Sequence, residues 1–215
     1  MRRHLAAMLL AAVPAAAAAH PHIYVDTGIE VIFDAQGKAE ALRITWVYDE
    51  FYSLLLVEER GLDADHDGTA TPEETAQLQG FDMKWEPGFP GDTYLLSGDV
   101  EHKLSGPSDW TASYQGGRLT STHLRRIAPA LGLDAPLKVQ VYDPGFYTAY
   151  TIAFDPVLTG LPAGCAAQVF TPDRDAADER LLAALAEYGA DEDVEMDFPA
   201  IGAAFSEEVR ITCGG

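Results

Sequence analysis

From Ile23 onward the chain alternates. Ile23, Val25, Ile29, Val31 and Phe33 fall on one side of an extended run and Tyr24, Asp26, Glu30 and Asp34 on the other, a period of two that predicts a half-buried strand. A turn at 34–38 leads to a second period-two run through Leu42, Ile44, Trp46 and Tyr48, so the two form a β-hairpin. The pattern then becomes helical. Asp49 stands in a capping position before Glu50, Phe51, Leu54, Leu55 and Glu58, and residues 72–78 make a second, shorter helix that begins on Pro72. Beyond Leu78 extended runs return at 81–85, near 94–104, 110–114 and 119–127, broken by a Pro/Gly loop at 87–91. Asp143-Pro144-Gly145 predicts a hairpin between 137–142 and 146–154. Asp175 is expected to cap a helix with Leu181, Leu182, Leu185 and Tyr188 on one face, stopped by Gly189; an acidic, solvated loop at 191–197 and a last strand at 207–213 follow. These elements describe an α+β fold, mainly antiparallel β-sheet and sandwich-like, with a helix pair inserted at about 49–80 and a C-terminal helix.

The first residues break this pattern. Arg2 and Arg3 precede an apolar run, Leu5 to Val13, and then five alanines at 15–19, the make-up of a secretory signal peptide. A membrane anchor needs about 20 apolar residues, and no later segment approaches that. The expectation is a signal at 1–19 and one soluble periplasmic domain at 20–215, with no stable membrane insertion after processing. Net charge is −20, and the predicted signal holds two of the 14 basic residues and no acidic one. The processed chain is therefore more acidic still, repels nucleic acid and anionic lipid, and suits divalent cations. Export also favours a disulfide between the two cysteines, Cys165 and Cys213, both expected to point inward. Closing that loop contributes on the order of 4 kcal/mol in the chain-entropy model.

One stretch carries a ligand pattern position by position. Residues 63–74 read DADHDGTATPEE: Asp63, Asp65 and Asp67 at loop positions 1, 3 and 5, Gly68 at 6, Thr69 at 7, Thr71 at 9 and Glu74 at 12, the order of an EF-hand calcium loop. Calcium takes six to eight hard oxygens at roughly 2.4 Å, so alternate carboxylates must turn inward while the chain bends at glycine. The plainer reading of the same residues is a polar turn with a Thr71–Glu74 capping box opening the second helix, and the two are compatible. Gly61 should stop the entering helix two residues early. No second DxDxDG run exists, and Ala70 stands where paired hands carry a larger bridging residue. A lone hand binds weakly, about 10⁻⁴ to 10⁻³ M, which suits a structural ion.

Cleavage after Ala19 would leave His20-Pro21-His22 at the chain start. An N-terminal histidine offers its amine and a ring nitrogen, and His22 adds another, a donor set for copper, zinc, nickel or cobalt. Pro21 lacks the amide proton that square-planar motifs give up. Cleavage before Ala18 would instead place His20 third, where such a motif becomes available. Two exposed histidines at a chain end can equally do nothing. His66, His102 and His123 are isolated; the last two join the site only if folding brings them to it.

In their order, HPHIYVD, the DEFYS helix (49–53), the DADHDG loop, the YDPGFYTAY segment (142–150), a following cysteine and a terminal ITC resemble the bacterial domain-of-unknown-function family 1007 across nearly the whole processed chain. The resemblance implies an uncharacterised periplasmic component of ABC-type transport, of a kind often found with nickel, cobalt or zinc transport systems; its partners would be metal ions and a membrane metal transporter. It supplies no catalytic residues.

Three readings follow. The leading one is a non-enzymatic periplasmic accessory protein, with calcium in the loop and a transition metal at His20 and His22. The second is a calcium-stabilised envelope binding module with an inert N-terminus. The third is a copper-dependent oxidoreductase, which requires another inward histidine near His20. No Ser/His/Asp grouping in sequence, phosphate-binding glycine loop or HExxH is present.

Overall fold

A computed structural model describes residues 20–189 and 198–213; the predicted signal peptide and the acidic 191–197 loop lie outside them. The alternation read from the sequence becomes two sheets packed face to face. The first runs β5-β6-β2-β1-β8, with β9 also on β1, and comprises β1 (Ile23–Phe33), β2 (Ala39–Tyr48), β5 (Ser108–Gln115), β6 (Arg118–Leu131), β8 (Thr148–Ile152) and β9 (Val157–Thr159). The second, β10-β11-β7-β3-β4, comprises β3 (Thr93–Ser97), β4 (Val100–His102), β7 (Leu137–Val141), β10 (Cys165–Phe170) and β11 (Glu207–Cys213). The helices are α1 (Glu50–Glu59), α2 (Pro72–Leu78), α3 (Arg174–Leu185) and α4 (Gly202–Phe205). This is an α+β protein of mostly antiparallel strands. Among the described residues no helix is long and apolar enough to cross a membrane.

Val31, Leu42 and Ile44 from the first sheet meet Leu95, Leu137, Val139 and Ile211 from the second, all buried in one cluster. Each such side chain stabilises by about 1.5–3 kcal/mol when taken from water. The β1–β2 hairpin pairs in register from Val25 with Tyr48 to Val31 with Leu42. On β6 the inward positions are Leu119, Ser121, His123, Arg125 and Ile127, so an otherwise apolar interface carries three polar groups.

Several elements depart from the sequence expectation. The Asp143-Pro144-Gly145 turn does not close a hairpin. β7 lies between β11 and β3, so both its edges are taken, and β8 crosses to the other sheet to run parallel to β1. The turn itself forms as expected, Asp143 accepting from Gly145 N at 2.9 Å and Thr148 N at 3.0 Å. Residues 81–85 are not a strand; Trp85 Nε1 donates to Asp82 O at 2.8 Å and folds the segment into a turn. The 94–104 run is split by Gly98, at φ +60, into β3 and β4, with Ser97 paired to Val100. Asp173 caps α3, accepting from Ala176 N, where Asp175 was expected; the helix ends at Leu185. Cys165 and Cys213 are directly opposite and bonded, but at the end of the outer strand pair, with Cys213 exposed.

Candidate functional site

The helix pair enters between β2 and β3. Asp49 caps α1 through Tyr52 N at 2.8 Å and also accepts from Tyr24 N. α1 stops as Gly61 predicts: Gly61 N donates to Glu58 O and Leu62 N to Val57 O, a Schellman ending at φ +64. Two residues later the chain is at Asp63, buried and at φ 52. Its carboxylate accepts from Asp67 N at 3.0 Å and from Gly68 N at 3.2 Å, which curls the loop. Thr69 N donates to Asp67 Oδ1 at 2.8 Å. One carboxylate oxygen from each of Asp63, Asp65 and Asp67 lies within 4.8 Å of the others, Asp63 buried and the other two exposed.

Two further predicted ligands, Thr71 and Glu74, are bonded to each other. Glu74 Oε1 accepts from Asp63 N at 2.8 Å, tying the two ends of the loop; Oε2 accepts from Thr71 N at 2.8 Å and Thr71 Oγ1 at 2.9 Å, while Glu74 N donates to Thr71 Oγ1. This is a complete capping box. These donors, Thr71 foremost and then Asp63 N, hold the Glu74 carboxyl below its ordinary value. The three aspartates supply hard oxygens of the type calcium takes, and Glu74 stands at their rim as a cap.

Ala70, the bridging position, does have a partner. Its N donates to Tyr114 O at 3.0 Å, Gly117 N donates to Gly68 O at 3.0 Å, and Thr69 bridges to Gln115, so the tip of the β5–β6 hairpin occupies the place a second hand would take. Gln79, just past α2, pairs its side-chain amide with both Ala112 N and Ala112 O, covering the edge of β5. Burial and then the adjacent Asp63 carboxylate push the Tyr114 hydroxyl above its ordinary pKa.

At the other candidate, the sequence pair does come together. His20 and His22 have ring centroids 4.9 Å apart; His20 is buried and stacks on Phe198 at 4.1 Å, and His22 lies 4.7 Å from Tyr147. His22 N donates to Tyr147 O at 2.8 Å, anchoring the start of β1 beside β8. Among the described residues no third histidine, cysteine or carboxylate completes a metal-binding group with them. His102 is on β4 and His123 between the sheets, so neither joins. The α-amine expected as a further donor falls at the junction with the undescribed residues. Exposed His66 lies 3.7 Å from Glu58.

Sequence reasoning passed over a third set, assembled between the sheets. Asp82 Oδ2 accepts from Tyr48 OH at 2.8 Å and from Ser121 Oγ; Asp92 Oδ2 accepts from Tyr150 OH at 2.8 Å. His123 is wholly buried, 4.7 Å from the Trp46 ring and 5.3 Å from Trp85, with neither ring nitrogen hydrogen-bonded. Burial raises Asp82 and lifts Asp92 to about 7 against the hydrogen bond from Tyr150. Burial and then Arg125 lower His123 to about 3. The signal was the inward period of β6, on which Ser121, His123 and Arg125 stand two apart.

Comparison with known proteins adds a family and no activity. The family described as "Protein of unknown function (DUF1007)" matches over residues 5–213. No curated protein matches the chain.

Proposed function

The chain therefore belongs to the DUF1007 family, and from that premise we propose that it is an exported, non-enzymatic metal-binding accessory protein. Calcium is held by Asp63, Asp65 and Asp67 for structure, and a transition metal of the nickel, cobalt, zinc or copper group by His20 and His22. The observation that carries the calcium part is the convergence of three aspartate oxygens in a loop curled by its own Asp63 carboxylate. Docking of that loop on the β5–β6 hairpin supports a stabilising ion over a sensor, because opening would break the contacts at Tyr114 and Gly117. The histidine part rests on the adjacency of the two rings, and the place beside a periplasmic metal transporter on the leader-like N-terminus and the family likeness. Native mass spectrometry of the exported protein tests all of it: one retained calcium, and one transition-metal ion lost on His20→Ala, are expected. An ion-free protein whose unfolding ignores millimolar calcium and chelator overturns the reading.

A second reading, a calcium-stabilised envelope binding module with inert histidines, is favoured by the stacking of His20 on Phe198, which gives that ring a packing role. Retention of calcium with no transition metal selects it.

A further inference from the structure

Arg125 is a buried cation without a counter-ion among the described residues. Its side chain points inward from β6 and is 3 % exposed. Nε donates to Ser105 O, Nη1 to Pro90 O at 3.0 Å, and the guanidinium lies 4.7 Å from the centre of the Trp85 ring. Gly91, at φ +68, passes so close that a Cβ there would sit 2.5 Å from Nη1. The group is thus held on three sides. No carboxylate pairs with it among the described residues, and Nη2 makes no hydrogen bond there. Burial alone lowers its pKa, to about 10, so it remains charged. A buried charge left unneutralised costs several kcal/mol, and backbone carbonyls and one aromatic face offset only part of it.

Arg125 lies against a pocket of about 340 Å³, beside Phe89, Thr93, Glu101, His102 and Lys103, within the size range of small-molecule sites. The structural role of Arg125, joining the 86–92 segment to Ser105, uses Nε and Nη1 and leaves Nη2 over. We propose that this pocket is a binding site for a small oxyanion, a carboxylate- or phosphate-bearing ligand whose oxygens accept from Arg125 Nη2, with Lys103 at the rim as the second positive group. A planar guanidinium fixed on an aromatic ring is suited to such oxygens. Glu101 and the net charge of −20 work against polyanions and restrict the ligand to one or two charges. The site is separate from the metal loop and independent of its reading.

Trp85 reports on the site. The full chain is titrated with sodium phosphate and, separately, sodium succinate, each against sodium chloride at matched ionic strength, and tryptophan emission and thermal unfolding are followed. A saturable response to at least one oxyanion, with a midpoint near or below about 1 mM and a matching rise in Tm, is expected; which salt acts assigns phosphate or carboxylate. Arg125→Lys should weaken binding by about tenfold or more. Lys103→Ala, at an exposed position, should weaken it several-fold without changing the fold, and decides the matter if the Arg125 variant does not fold. No response beyond chloride, or equal binding by parent and Lys103→Ala together with a folded Arg125→Lys, overturns the proposal.

Discussion

The 63–74 loop and the polar core behind Trp46 use the same residue types in opposite ways. In the loop every predicted ligand comes from twelve consecutive residues, and the carboxylates of Asp63, Asp67 and Glu74 accept from backbone amides of the same loop. In the core Tyr48, Asp82, Asp92, His123, Arg125 and Tyr150 come from β2, β6, β8 and the 79–92 connection, and Oδ1 of Asp82, Oδ1 of Asp92 and both nitrogens of His123 are buried without partners. The loop is exposed, so its repulsion between aspartates is screened by water and relieved by a cation. The core groups are buried, so solvent screens their charges far less and they respond to protons. Stability should therefore depend on calcium at one end of the molecule and on pH in the middle.

The largest contrast is in packing. Trp46 is nearly buried against His123, Trp85 and Tyr150, and Trp46→Ala should cost about 3–5 kcal/mol in urea unfolding. Asp65→Ala in the exposed loop should cost about 0.5 kcal/mol or less without calcium. Equal costs would remove the distinction between the two regions. Next is proton linkage. Asp92 has an ordinary value of 3.8 and about 7 in the fold, so between these the folded state binds more protons. Its contribution is full below pH 3.8 and is lost as pH rises through 7. His123 acts the other way: lowered from 6.5 to about 3, it costs stability as pH falls across that window. Asp92→Asn keeps an acceptor for Tyr150 and tolerates the φ of 46 at this position. It should be more stable than the parent by on the order of 3 kcal/mol at pH 8, with the gap closing towards pH 4. An unchanged gap across that range would show that Asp92 does not titrate as its burial requires.

Calcium tests the loop in the same terms. At ten times Kd, an ion that binds only the folded state adds about 1.4 kcal/mol, a Tm rise of about 3–6 °C for a chain of this size. Asp63→Ala should abolish the rise and Asp92→Asn should keep it, since the two sites share no residue. Loss of the calcium response in Asp92→Asn would mean that the regions are coupled through the β5–β6 hairpin.

What was legible in the sequence follows the same division. The capping aspartate at 49, the stop at Gly61, the bounds of α2 and the last strand are set by neighbours within a few residues, and they stand where the pattern put them. The Asp143-Pro144-Gly145 segment forms its turn for the same local reason, yet its strands part company because β7 has no free edge, a fact held by β3 and β11 far along the chain. Arg125 was equally hidden. Its position on an inward period was visible, but its lack of a carboxylate depends on which loops close over it. The pairing of Ala70 with Tyr114 in place of a second hand belongs to this class too, since nothing near Ala70 names the hairpin that meets it.

The smallest effect is the most discriminating for the loop. Thr71 stands at ligand position 9, but its hydroxyl is engaged with Glu74, as acceptor from Glu74 N and donor to Oε2. As a cap, Thr71→Ala removes both hydroxyl bonds at the start of α2 and should cost about 1 kcal/mol in calcium-free buffer. Glu74 keeps the amides of Thr71 and Asp63, so the loop ends stay tied and the three aspartates stay together. Calcium affinity, read by isothermal titration, should then move by less than about tenfold, that is by less than 1.4 kcal/mol. A larger loss would mean that Thr71 and Glu74 leave the cap when the ion enters, and that the hydrogen bonds between them are what calcium binding must first break.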